Sequence, residues 1–340
     1  MADVRAYWAG MEGGSFFQSS AWKILVFLAG TVLLAALLAP PLYWGGKYVV
    51  AQGWLEGGWL HGLHESMERA AFSRYFNRAV LLGALLMLGP ILKWMNAGRT
   101  SRPSRREALM LEPNPSWLGH LVLGFVVAGG SLLLLGWGYV GLGWYEMEDP
   151  GMPLTNVLLG ALGTALAVGL LEEFVFRGAL HAVLAKVLKP RTVFFVIAVF
   201  FALIHFFNAP GGLEIGDVTA STGFWMVGKI FGHFFGQFAD PYFLAAEFAV
   251  LLAIGLVLGY TRMKTGSLWL GIGLHAGWVF GVKTLGPSTR RTFGRDEMMP
   301  WLGDTLRVGA VSFLVICLTG AVLWLWLRRK PGDAFKETPA

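Results

Sequence analysis

Long runs of apolar residues, separated by short polar segments, dominate the pattern of this chain. A helix needs about 20 apolar residues to cross the roughly 30 Å of hydrocarbon in a bilayer. The pattern predicts eight such helices, at 22–44, 76–97, 117–143, 154–186, 192–208, 241–261, 266–283 and 307–327. We therefore expect an all-α fold, a polytopic bundle of about eight transmembrane helices in a lipid bilayer.

The composition agrees with this class of protein. Of the 340 residues, 55% are hydrophobic and only 14% are charged, whereas about 25% of the residues in a soluble domain are charged. The formal net charge is +6, but Lys and Arg flank the apolar runs, so the charge is not evidence for a nucleic-acid partner. The single cysteine, Cys317, excludes a disulfide within the chain and a cysteine-based metal site.

The basic residues also predict an orientation. They follow the second, fourth, sixth and last apolar runs, which places them on one side of the membrane, and the positive-inside rule makes that side the cytoplasm. Both termini are then cytoplasmic, and the inner membrane of a bacterium is the expected location. The segments 61–78 and 283–306 carry arginines on the opposite side and do not follow the rule.

Polar segments divide the chain into three predicted regions. The stretch TSRPSRREALMLEPNPS at 100–116 separates an N-terminal region of two spans and an interfacial segment, 1–112, from a core at 113–285. Residues 286–340 hold the final span and a cytoplasmic tail. The apolar stretch 223–238 is predicted to be a re-entrant or interfacial helix, because a ninth span would move Arg262 and Lys264 to the outer side.

Ionisable residues inside the fourth span provide the first indication of function. The stretch LLEEFVFRGALH at 170–181 contains Glu172, Glu173 and Arg177. Charged side chains at the centre of a membrane helix cost about 2.5–3.5 kcal/mol on insertion scales, so they are usually functional and paired. Glu173 and Arg177 are four residues apart and can pair on one helix face. Glu172 therefore needs a partner on another helix.

His205 and His275 are the candidate partners of Glu172. If the fourth and fifth spans turn near Lys189, Glu172 and His205 each lie roughly 25 Å along their helices from that turn. His275 lies in the seventh span, which enters the membrane from the same side as that turn. A carboxylate and two imidazoles can activate a water, with Glu172 as general base. The same three side chains can instead hold Zn²⁺ or another divalent metal. The residues leave both the metal-dependent and the metal-free mechanism open, and a purely structural role for these groups is the third reading.

Three short motifs resemble those of a known family. EEFVFRG, with Glu172, Glu173 and Arg177, is similar to the Glu-Glu-x-x-x-Arg motif of the CAAX protease and bacteriocin-processing (CPBP, or Abi) family of intramembrane endopeptidases. FALIH, ending at His205, resembles its second motif, and HAGWV, starting at His275, resembles the start of its third. The resemblance covers about 150–285.

The resemblance implies a helical-bundle peptidase whose site opens toward the cytoplasm. It assigns water activation to Glu172 and His205, oxyanion stabilisation to His275, and a supporting role to the pair Glu173 and Arg177. It also implies a peptide or protein substrate that is membrane-anchored or lipidated in some members. The family leaves the use of a metal disputed.

The chain departs from the family motif at Val279, where the family has Asn. Loss of one oxyanion donor typically lowers turnover by about 10²–10³. Asn208 replaces the missing donor if it lies one turn beyond His205 on the same helix; alternatively a metal makes the donor dispensable, or the protein is a non-catalytic membrane scaffold or immunity-type relative. A small-solute transporter is a further alternative, because transporters also place ionisable groups inside the membrane.

Overall fold

The computed structural model describes residues 20–57, 61–95, 104–185, 188–210, 213, 215–294, 297–303 and 305–328. Its helices are α1 (Ser20–Ala51), α2 (His61–Glu68), α3 (Phe72–Met95), α4 (Arg105–Ala108), α5 (Trp117–Gly141), α6 (Leu154–Glu173), α7 (His181–Leu184), α8 (Pro190–Ile204), α9 (Thr222–Gly236), α10 (Pro241–Thr265), α11 (Trp269–Leu285) and α12 (Ala310–Arg328). A π-helix at Phe174–Leu180 joins α6 to α7, and a 3₁₀ turn at Gln237–Ala239 follows α9. Two short strands, β1 (Tyr145–Met147) and β2 (Thr289–Arg291), complete the fold.

The fold is an all-α membrane bundle, as predicted. Six helical segments in the described part of the chain are long and apolar enough to cross a bilayer: Trp22–Ala51, Phe72–Trp94, Trp117–Gly141, Leu154–Leu184, Pro241–Thr265 and Ala310–Arg328. The predicted fifth and seventh spans are also helices, but α8 has 15 residues and α11 has 17. The predicted count of eight is therefore not confirmed.

Helix α11 lies at the centre of the core. Residues 270–278 are buried without interruption. Glycines allow its neighbours to approach at backbone distance: a Cβ on Gly277 would lie 2.5 Å from the carbonyl oxygen of Phe125 in α5, and one on Gly169 of α6 would lie 3.0 Å from the amide of Ala276. Such small residues are typical of membrane helix interfaces, where close van der Waals packing drives association. Helices α5, α6 and α11 therefore form one tightly packed unit that carries His275.

The N-terminal helices α1 and α3 form an antiparallel hairpin beside this unit. At its centre, a Cβ on Gly83 would lie 2.9 Å from the carbonyl oxygen of Thr31. Helix α9 packs on α1 through Met226 and Ile230, which share a buried cluster with Ala36. The predicted region boundary at residue 112 stays a prediction.

The bundle has two distinguishable ends. At one end β1 and β2 pair antiparallel, and Arg290 Nε donates to Glu146 Oε1 at 3.0 Å. We call this end the ladder face. At the other end, which we call the connection face, the amide of Glu112 donates to the carbonyl oxygen of Gly266 at 2.9 Å. Gly266 ends α10 in the left-handed conformation, at φ 61°, which favours glycine.

Candidate functional site

The two glutamates of the first motif lie in the last turn of α6, immediately before the π-helix. Adjacent residues on an α-helix point about 100° apart, so the two carboxylates point in different directions. The Glu173 side chain is only 1% exposed, whereas that of Glu172 is 17% exposed. Glu173 therefore belongs to the packed core, whereas Glu172 is only partly buried.

Glu173 and Arg177 form the expected pair. Arg177 Nη1 donates to Glu173 Oε1 at 2.9 Å, and both side chains are 1% exposed. Arg177 Nη2 also donates to the carbonyl oxygen of Gly255 in α10 at 3.2 Å. Its guanidinium lies 4.4 Å from the ring centroid of Phe201 in α8, which is a favourable cation–π distance. The pair thus connects α6, α8 and α10.

His275 joins this pair from α11. Its Nδ1 lies 3.0 Å from Glu173 Oε1, and because an ionised carboxylate only accepts hydrogen bonds, Nδ1 must carry the hydrogen. The other ring nitrogen, Nε2, lies 3.7 Å from Glu172 Oε2. One turn earlier, a Cβ on Gly271 would lie 3.0 Å from Glu173 Oε2. Because Gly271 has no side chain, the Glu173 carboxylate fits beside it.

His205 approaches Glu172 from α8. It is the C-terminal cap of α8, and its Nδ1 lies 2.7 Å from the carbonyl oxygen of Phe201. A carbonyl oxygen also only accepts, so this Nδ1 carries the hydrogen as well. The His205 Nε2 atom lies 3.9 Å from Glu172 Oε2. Both imidazoles therefore present Nε2 to the same carboxylate oxygen.

The Glu172 Oε2 atom is buried and has no hydrogen-bond partner among the described residues. Its distances of 3.7 and 3.9 Å from the two Nε2 atoms are too long for direct hydrogen bonds. A polar contact longer than about 3.5 Å can instead involve a water between the two groups. The predicted convergence of Glu172, His205 and His275 is therefore present.

The sequence-based argument for Asn208 is wrong. It placed Asn208 one helical turn beyond His205, but α8 ends at Ile204, and Asn208 lies exposed in the connection that follows. Val279, at the family's Asn position, is half-buried one turn after His275. An oxyanion role for Asn208 stays a prediction without its helical rationale.

The same three side chains were predicted as metal ligands. Carboxylate oxygen and imidazole Nε2 are donors that Zn²⁺ accepts, and two ligands of a tetrahedral zinc lie about 3.3 Å apart. The distances of 3.7 and 3.9 Å from Glu172 Oε2 are wider. Within the described ranges, no group of three or more His, Cys, Asp or Glu residues has an arrangement that could hold a metal ion. As arranged, these residues do not fit a metal, and no step below uses one.

The cluster is more open toward the ladder face. Residues 275, 279 and 283 recur every four positions, so they share one face of α11. Along this face exposure rises from the buried His275 through the half-buried Val279 to the exposed Lys283, toward the ladder end of the helix. Toward the connection face, Leu270 and Phe201 are 0% and 1% exposed. On α11, the residues next to the cluster are therefore less buried toward the ladder face than toward the connection face.

Sequence reasoning missed two features. It did not foresee that His275 contacts Glu173 as well as Glu172, because spacing along separate helices does not fix which ring nitrogen faces which carboxylate. It also assigned Arg262 to the cytoplasmic flank of a span. The structure buries Arg262 at 6% exposure, and nothing in its local sequence distinguishes it from the neighbouring Lys264.

The comparisons with known proteins agree with the motif resemblance. Residues 154–281 match the family described as "Type II CAAX prenyl endopeptidase Rce1-like", which confirms the predicted resemblance to CAAX proteases over that segment. The match includes all three motifs and leaves 1–153 and 282–340 outside. Neither the curated proteins nor the solved structures include a significant match.

Proposed function

We propose, from the premise that residues 154–281 carry the core of a CAAX-type endopeptidase, that this integral membrane protein hydrolyses a peptide bond with a water activated by Glu172 and His205. The observation that carries the proposal is that Glu172 Oε2 lies 3.7 and 3.9 Å from two imidazole Nε2 atoms and has no hydrogen-bond partner among the described residues. A carboxylate oxygen in this position is suited to accept a proton from a water, which is what a general base does.

In the proposed reaction, a water donates one hydrogen bond to Glu172 Oε2 and the other to His205 Nε2. Two acceptors orient the water so that its lone pair faces the carbonyl carbon of the scissile bond. As the C–O bond forms, the proton passes to Glu172. It then passes from Glu172 to the departing amine as the C–N bond breaks, so that the carboxylate is regenerated.

His275 is proposed to stabilise the oxyanion. Its Nδ1–H is held by the buried Glu173 carboxylate, and in the proposed role the ring carries a hydrogen on Nε2 as well. Such a ring presents an Nε2–H donor to the developing negative charge. Glu173 and Arg177 hold this ring in place and do not contact the substrate.

The proposed substrate is a membrane-anchored or lipidated peptide or protein. The proposal also includes location in a bacterial inner membrane with both termini in the cytoplasm. Here two sequence-based expectations conflict with the geometry. The charge rule makes the ladder face external, whereas the family resemblance implies a cytoplasmic opening, and the cluster opens toward the ladder face. If both termini are cytoplasmic, an opening at the ladder face lies outside the cell, and the cytoplasmic opening implied by the resemblance is then wrong.

Cleavage by the purified protein in lipid nanodiscs tests the function. The probe is an internally quenched peptide that ends in a farnesylated Cys-aliphatic-aliphatic-X sequence. We expect cleavage by the wild type, loss of cleavage with His205→Ala, and unchanged cleavage with His233→Ala, a control on the exposed face of α9. A folded wild-type protein that leaves this and unlipidated peptides intact would favour the non-catalytic relative, the reading that Val279 supports.

Cysteine labelling tests the opening. Cys317 is the single cysteine, so Cys317→Ala provides a background without thiols. In that background, a membrane-impermeant maleimide should label Val279→Cys from the same side as Glu148→Cys, which marks the ladder face. Labelling of Val279→Cys only from the side that labels Lys189→Cys would refute the opening toward the ladder face.

A further inference from the structure

Arg262 is a buried cation that the proposed reaction does not use. It lies in the last turn of α10 and is 6% exposed. Its guanidinium donates to backbone carbonyl oxygens on two other segments: Nε to Arg177 at 3.2 Å, and Nη2 to Met110 at 2.5 Å and to Leu109 at 3.5 Å. Removing a guanidinium from water costs several kcal/mol, so a buried arginine bound to main-chain oxygens requires a reason.

The π-helix supplies that reason. In an α-helix the amide of His181 would donate to the carbonyl oxygen of Arg177, four residues earlier. Here it donates to Phe176, five residues earlier, and to Gly178. The Arg177 oxygen therefore does not receive the hydrogen bond from the His181 amide. It accepts one from Arg262 Nε instead. Single π turns often mark functional sites, and this one begins directly after Glu173.

Two arginines bind the π-helix to α10 in a reciprocal way. Arg262 reaches from α10 to the backbone of Arg177, and Arg177 reaches back to the carbonyl oxygen of Gly255 in α10. Gly255 and Arg262 are two helical turns apart, or about 10 Å. Contacts at two levels fix both the height and the rotation of the π-helix against α10.

A continuous series of contacts connects Arg262 to the candidate site. The Arg177 backbone is held by Arg262, Arg177 Nη1 holds Glu173 Oε1, and the same oxygen holds His275 Nδ1. We propose that Arg262 is a positioning residue for the reaction: by binding the Arg177 carbonyl it sets the π turn that aligns Glu173 and His275. This inference rests on the proposed function.

A double-mutant cycle separates positioning from general stability. Arg262→Met keeps the length of the apolar stem and removes the donors. A misplacement of about 1 Å can lower turnover by about 10²-fold, so we expect kcat to fall about tenfold to 100-fold, with KM unchanged. With Glu173→Gln already present, Arg262→Met should lower kcat little further, because the aligned carboxylate is gone. Arg191→Met, at an exposed position on the same face, should leave kcat unchanged.

Two kinetic results would overturn the proposal. In the first, the fold-loss of kcat in the double variant equals the product of the losses in Arg262→Met and Glu173→Gln, which indicates that the two residues act independently. The second is a lower unfolding temperature with kcat unchanged, which indicates a structural role alone. Arg262→Lys should restore part of kcat, because an ammonium can reach the Arg177 oxygen but lacks the fork that also binds Met110.

Hydrogen exchange tests the same inference without a substrate. In nanodiscs, Arg262→Met should accelerate amide exchange in peptides that cover 174–182, relative to wild type and to Arg191→Met. Unchanged exchange in that segment would refute the link between Arg262 and the π turn, even if no peptide is cleaved. Failure of the wild type to cleave any peptide would instead count against the proposed function.

Discussion

Replacing Arg177 with Met leaves the Glu173 carboxylate buried without its cation. Both side chains are 1% exposed and 2.9 Å apart, so water cannot replace the lost partner. Breaking a buried pair by removing one member typically destabilises by about 3–5 kcal/mol. The His275 Nδ1–H remains as a donor and offsets part of this loss. We therefore expect Arg177→Met to lower the free energy of unfolding by about 3 kcal/mol.

The matched experiment adds Glu173→Gln. The double variant buries no unpaired charge, so it should be more stable than Arg177→Met alone. Unfolding in mixed micelles, followed by tryptophan fluorescence, gives the four free energies of the cycle. A coupling of about 2 kcal/mol or more is expected for a pair in direct contact. Additive effects, or a loss below about 1 kcal/mol for Arg177→Met, would show that water reaches the pair and would refute the reasoning.

Further predictions concern the oxyanion donor, the fit of Glu173 and the metal. Val279→Asn restores the family's residue one turn after His275 and should raise kcat by about tenfold or more; an unchanged kcat would show that another group already donates. Gly271→Ala places a Cβ 3.0 Å from Glu173 Oε2 and should lower kcat about tenfold, whereas Gly160→Ala, which meets nothing within 4 Å, should not; equal effects would contradict a tight fit. Dialysis against a chelator should leave cleavage unchanged, and a loss that Zn²⁺ restores would contradict the metal-free mechanism.

The sequence predicts the bundle and the meeting of Glu172, His205 and His275 because both follow from simple geometry. Apolar runs report membrane helices directly. Equal rise along two antiparallel helices places residues at equal distances from a turn side by side. His205 reaches Glu172 even though α8 ends one residue earlier, at Ile204, because the distance along the helix decides the depth.

The same periodicity fails beyond the end of a helix. Asn208 was expected on the helix face of His205, but the helical spacing no longer applies after Ile204. Arg262 was missed for a different reason. A basic residue near the end of a span normally remains in water, whereas here backbone oxygens on the π-helix and at Met110 draw the guanidinium inward. The π turn depends on these distant contacts, which local sequence does not encode.

The most direct test of the central claim is single-turnover cleavage by Glu172→Gln. The amide keeps the shape of the side chain but cannot accept the proton of the water. Cleavage of the farnesylated peptide should be lost with Glu172→Gln and retained with Glu148→Gln, whose glutamate lies exposed on the ladder face. Cleavage by folded Glu172→Gln at the wild-type rate would contradict the assignment of Glu172 as the general base.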